Sequence, residues 1–85
     1  MPQWQVLVLR RARNYLERLP AEDRRRILDA LDKLANDPPS APVKKLKGRP
    51  EWSLHVGTRR VLFLPDKRAR LIVVTDIGPR GDVYK

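Results

Sequence analysis

Cysteine is absent from this 85-residue chain, which removes disulfides, thiolate nucleophiles and zinc-thiolate sites together. A single histidine, His55, leaves no multi-histidine metal site, so no metal and no cofactor is expected. No run of about 18 apolar residues occurs, which excludes a membrane-spanning helix. The opening Met1-Pro2-Gln3-Trp4-Gln5 lacks the charged-then-apolar pattern of a secretory signal, and a cytoplasmic location is expected. Negative charge is scarce: ten Asp and Glu stand against nineteen Lys and Arg, a net +9. With 41% hydrophobic residues the chain can still build a core. We read one basic domain over residues 1–85, suited by its charge to phosphate-bearing or acidic partners.

Hydrophobic spacing predicts the elements in order. Trp4 to Leu9 reads as a strand with apolar residues on both parities, hence considerably buried. Ala12, Tyr15, Leu16 and Leu19 form a helical stripe whose opposite face carries Arg11, Arg13, Glu17 and Arg18. Pro20 ends that helix, because proline cannot continue the hydrogen-bond ladder. A second helix opens at Ala21-Glu22-Asp23, with Ile27, Leu28, Leu31, Leu34 and Ala35 as its apolar face, and stops at Pro38-Pro39. Residues 40–51 read as an ordered, basic loop anchored by Val43 and Leu46. Three strands follow, over 52–56, 60–64 and 71–77, then a turn at Gly78-Pro79-Arg80-Gly81-Asp82 and a final Val83-Tyr84-Lys85. The expected class is α+β, order β-α-α-β-β-β, with a two-helix hairpin on one face of a mainly antiparallel sheet. Residues 1–39 carry eight basic and six acidic groups, whereas 40–85 carry eleven and four, so the sheet half is the expected anion-facing half.

Gly57-Thr58 suits a two-residue II′ hairpin turn, which sets a register: Val56 opposite Arg59, His55 opposite Arg60, Leu54 opposite Val61, Trp52 opposite Phe63. Trp52, Leu54, Val61 and Phe63 then share an apolar face against the helices, while Ser53, His55 and Arg60 share the other. A one-residue slip would bury His55 and Arg60, so the hydrophobic pattern itself selects this pairing. The third strand runs back toward the turn, bringing Arg80, with Tyr84 a few residues on, to the same end of the sheet. An imidazole, two guanidinium groups and a phenol are the groups needed for phosphodiester transesterification in RNA: proton transfer, charge neutralisation on the phosphorane, and base stacking. Each also has a structural reading. Arg59-Arg60 can be a solvated edge that deters aggregation, Arg80 a counter-charge to Asp76 or Asp82, and Tyr84 a seal on the core. Arg24-Arg25-Arg26 reads as a solvated face paired with Glu22, Asp23 and Asp29.

The ordered series Lys45-Leu46-Lys47-Gly48, then Trp52-Ser53-Leu54-His55-Val56-Gly57-Thr58-Arg59-Arg60-Val61-Leu62-Phe63, then Ile77-Gly78-Pro79-Arg80 and Val83-Tyr84, resembles the RelE/ParE toxin superfamily of type II toxin–antitoxin systems. The likeness covers essentially the whole chain. It implies two helices on a curved sheet and a cognate antitoxin, acidic and partly disordered, that neutralises the toxin. RelE-like members cleave mRNA in the ribosomal A site without metal, leaving a 2′,3′-cyclic phosphate. By that resemblance Arg60 and Arg80 match the arginines that stabilise the transition state, and Tyr84 the C-terminal tyrosine that stacks a base and activates the 2′-hydroxyl. Ser53 and His55 stand where RelE-like nucleases place Lys or Arg; His55 can serve as proton donor or base, whereas Ser53 brings no charge. Arg59 takes a place where the family often has Tyr. Lys44, Lys45, Lys47, Arg49, Ser53 and Arg59 are the candidate RNA contacts, with His55, Arg60, Arg80 and Tyr84 the candidate catalytic set. The alternative within the superfamily is a ParE-type inhibitor of DNA gyrase that cuts no RNA. Toxin and antitoxin of such pairs assemble as heterotetramers on operator DNA, and that assembly is expected here too.

Overall fold

The computed structural model describes residues 4–36 and 43–79. Its elements are β1 (Gln5–Val8), α1 (Arg10–Arg18), α2 (Ala21–Asn36), β2 (Val43–Lys45), β3 (Trp52–Val56), β4 (Arg59–Asp66) and β5 (Leu71–Pro79). The strands form one sheet in the order β1-β5-β4-β3-β2, antiparallel throughout except for the parallel β1–β5 pair. This is the expected α+β class with one strand more. Val43–Lys45, expected as loop, pairs with β3 through Val43↔Leu54, Lys44↔Ser53 and Lys45↔Trp52. Three residues are too few to show a period of two, so this strand exists only because β3 offers it an edge.

Both helices lie on one face of the sheet. Ala12 and Leu16 of α1 and Ile27, Leu31, Leu34 and Ala35 of α2 are buried against Leu54, Val61, Phe63, Ile72, Val74 and Ile77. That single-sided cover corrects two expectations. In β1 only Val6 and Val8 pack on the core, while Leu7 and Leu9 are 47% and 42% exposed, because no helix covers the second face. Leu28, grouped by spacing with the apolar face of α2, is 48% exposed and points away from the sheet. The break between the helices is as expected: the Leu19 N–H bonds the Leu16 carbonyl at 3.1 Å, Leu19 itself turns extended, and Pro20 follows.

The β3–β4 hairpin has the expected register, His55↔Arg60 and Leu54↔Val61 included. Gly57 takes φ +60° while Thr58 keeps a negative φ, the signature of a II′ turn, where glycine meets no steric cost. In β5 the register shifts by one: Leu62 pairs with Asp76 but Phe63 with Val74, leaving Thr75 as a bulge whose Oγ1 donates to the Leu62 carbonyl at 3.3 Å. Val74 and Ile77, three residues apart, thereby both face the helices. The β4–β5 connection is held by Asp66, whose Oδ1 accepts from the Arg68 and Ala69 N–H groups at 3.1 Å each.

Candidate active site

The hairpin positions the site. Because Leu54 and Val61 are fully buried under the helices, the alternate residues His55 and Arg60 project from the opposite face. They meet directly: Arg60 Nη2 lies 3.3 Å from His55 Nε2. A guanidinium can only donate, so Nε2 is the acceptor and the ring proton resides on Nδ1 in this arrangement. Both side chains are half-buried. Arg60 is flanked on its other side by Gly78 of β5, and β5 ends at Pro79 opposite Arg59. Arg80 and Tyr84, the other two candidate catalytic residues, lie outside the described residues, as does the 83–85 segment.

The candidate RNA contacts divide. Lys44 pairs with Ser53 and so shares the face of His55, about 7–8 Å away on the diagonal. Together with Lys45, Leu46, Lys47 and Arg49 it lines a cleft of about 380 Å³ at the β2 edge. Arg49 is bound to Glu51 at 2.8 Å, so one of that cleft's cations is already neutralised. Ser53 is on the right face but 1% exposed, and its Oγ has no hydrogen-bond partner among the described residues. Arg59 points the other way, to the helix side, where it pairs with Asp23 of α2 at 3.6 Å, both side chains about a third exposed (27% and 30%). The structure therefore brings His55, Arg60 and Lys44 together and holds Arg59 apart.

A second basic feature escaped the sequence reading. A groove of about 470 Å³ between α1 and the end of β5 is lined by Arg10, Arg11, Arg18, Tyr15 and Asp76, among others. Asp76, expected as a possible counter-charge to Arg80, is engaged by Arg11 at 3.5 Å. The arginine-rich face of α1 was the available signal, but only the tertiary fold sets it beside β5.

Among the described residues no cluster of His, Asp and Glu could hold a metal ion, and no helix is long and apolar enough to cross a membrane. No protein-family model matches the sequence, and no curated protein matches it. Solved structures do. A chain of the archaeal RelE–RelB complex from Pyrococcus horikoshii OT3 superposes with a TM-score of 0.80 at 24% identity, over 94% of this chain and 98% of that one. The fold is RelE-like. A chain of the toxin–antitoxin complex RelBE2 from Mycobacterium tuberculosis matches at 27% identity and TM-score 0.68, over 96% of this chain and 97% of that one. The isolated RelE toxin of E. coli matches at 16% identity and TM-score 0.76, over 89% of this chain and 83% of that one. The resemblance read from the motif series is thus carried by the RelE-like architecture, β1 parallel to β5 and two helices on one face included.

Proposed function

We propose that this RelE-like chain is the toxin of a type II toxin–antitoxin pair: an endoribonuclease that cuts mRNA in the ribosomal A site and is held inactive by a cognate antitoxin. The observation that carries the reading is the contact between His55 Nε2 and Arg60 Nη2 on the sheet face away from the helices, within a fold shared with RelE toxins. In the free protein Arg60 occupies the nitrogen that a base must use. A scissile phosphate draws the guanidinium to its non-bridging oxygens, and Nε2 is released. Nε2 then takes the proton of the 2′-hydroxyl, O2′ attacks phosphorus, and the P–O5′ bond breaks. The products are a 2′,3′-cyclic phosphate and a 5′-oxygen that leaves with a proton from solvent. Arg60 and Arg80 hold the charge that builds on the phosphorane, and Tyr84 stacks a base beside the cut. Lys44, Lys45 and Lys47 track the RNA backbone along the β2 edge. The protein acts in the cytoplasm, where ribosomes and antitoxin meet it, and the toxin–antitoxin assembly binds its operator chiefly through the antitoxin.

Growth arrest on induction, followed by primer extension on mRNA from translating ribosomes, tests the assignment. Discrete cuts that vanish with Arg60→Ala support it. Intact mRNA together with arrested DNA supercoiling would replace it with gyrase inhibition, a reading that the similarity to RelE toxins does not favour.

A further inference from the structure

The hairpin that carries His55 and Arg60 is a ladder, and the rungs on either side of this one are held in different ways. On the core side, Leu54 and Val61 are both fully buried under the helices. On the turn side stand Val56 and Arg59, and alternation puts both on the face of the helices. There the core has ended. Val56 and Arg59 are half-buried, Gly57 and Thr58 are exposed, and a cavity of about 130 Å³ separates the turn from the start of α2. Arg59 reaches Asp23 of α2 there, at 3.6 Å. Arg26, the other cation lining the cavity, pairs with Glu22 on its own helix, so Asp23 is left to Arg59. The Nε of Arg59 is buried with no partner among the described residues, so Asp23 is its guanidinium's one charged partner among them. Pro79 of β5, opposite Arg59, has no N–H with which to hold it.

We infer that the Arg59–Asp23 pair is a positioning device: it ties the turn end of the hairpin to α2 and so holds Arg60, the next residue of β4, against His55. This rests on the nuclease reading above and adds to it two residues that touch no RNA. Core packing fixes one side of the His55–Arg60 rung. The turn does little for the other, since its first residue, Gly57, brings no side chain to pack there. Arg59 and Arg60 share a peptide plane, so a shift of Arg59 passes to Arg60 as a rotation of that plane. Without Asp23 the guanidinium of Arg59 is a partly buried charge with no carboxylate among the described residues, and it leaves the cavity for water. β4 then moves beside the residue whose Nη2 lies 3.3 Å from His55 Nε2. The pair is partly exposed and screened by solvent, so its loss is felt in placement more than in melting. Asp23 sits in the first turn of α2, where the helix dipole favours a carboxylate, which anchors that end of the tie independently.

The test compares the wild-type chain with Asp23→Ala and Arg59→Met, by primer extension on ribosome-bound mRNA and by thermal melting. Both variants are expected to lose about tenfold to hundredfold in kcat, the scale on which a misplacement of about 1 Å acts, with KM within about twofold of the wild type. Both are expected to melt within a few degrees of it. In an Arg60→Ala background Asp23→Ala should lower the rate no further, whereas a general loosening of the fold would lower it again and overturn the inference. Independently of the reaction, the ring-nitrogen shifts of His55, read by NMR, report its contact with Arg60. Asp23→Ala should move them toward their positions in Arg60→Ala. A wild-type kcat in Asp23→Ala, or His55 shifts that stay in place, overturns the inference and leaves the nuclease reading intact. So does a raised KM with unchanged kcat in Arg59→Met, the mark of a direct contact with RNA. Should Arg59→Met not fold, Asp23→Ala and the His55 shifts decide. A wild type that leaves mRNA intact removes the nuclease reading itself, and this inference with it.

Discussion

Replacing Arg60 by alanine separates the catalytic role proposed for that guanidinium from its structural one, because the two differ in size. Arg60 is half-buried on β4 and its cross-strand partner is His55. Such a pair is worth about 0.2–1 kcal/mol to a sheet. A domain of this length loses roughly 4–8 °C of melting temperature per kcal/mol, so Arg60→Ala is expected to melt within several degrees of the wild type. Its effect on the reaction is larger. Removing one preorganised donor from a developing oxyanion costs about 10²–10³ in rate, or roughly 2.7–4 kcal/mol of transition-state stabilisation. Arg60→Lys keeps the charge but not the two-pronged geometry, and is expected to fall between alanine and wild type. His55→Ala should lose a comparable amount. Because the proposed mechanism sets His55 and Arg60 on one scissile phosphate and the two touch at 3.3 Å, the double variant should lose less than the two single losses combined. The assay is the cleavage rate on ribosome-bound mRNA read by primer extension, beside thermal melting of each variant. A cleavage rate for Arg60→Ala within threefold of the wild type would refute the reasoning, as would a strictly additive double variant.

Other substitutions test the fold around the site. Arg70 sits at φ +51°, a backbone region where a side chain costs roughly 1–2 kcal/mol, so Arg70→Gly is expected to raise the melting temperature by several degrees, reduced by the entropy of glycine in the unfolded chain. Ser53→Ala removes a buried hydroxyl that has no partner among the described residues, and thermal melting should show no loss or a gain of up to about 1 kcal/mol, against the cost expected had the hydroxyl been satisfied. Leu54→Ala opens a cavity at a fully buried position beneath the hairpin and should cost about 2–5 kcal/mol in denaturant unfolding. The same change loosens β3, so cleavage should fall as His55 drifts from Arg60.

The hairpin was the most legible part of the molecule. Gly57-Thr58 set the turn, and alternation from Trp52 to Phe63 admitted one register, so His55 opposite Arg60 could be read without coordinates. Stripes at helical spacing likewise located α1 and α2, and Pro20 the break between them. The motif series Lys45-Leu46-Lys47-Gly48, Trp52 to Phe63 and Ile77 to Arg80 carried the RelE-like likeness that the architecture bears out.

Tertiary structure alone decided which faces those patterns turned to solvent. Leu7, Leu9 and Leu28 are as apolar as their buried neighbours, and only the placement of both helices on one side of the sheet leaves them exposed. Arg59 and Arg60 are adjacent and chemically identical, yet the pleat sends one to Asp23 on α2 and the other to His55. The strand at Val43–Lys45, the Thr75 bulge and the capture of Asp76 by Arg11 all arise from partners distant in the chain. Composition and period are local properties of the sequence and determined the elements and the hairpin register. Exposure, counter-charge and free edges are properties of what packs against what, and they exist only once the sheet has assembled.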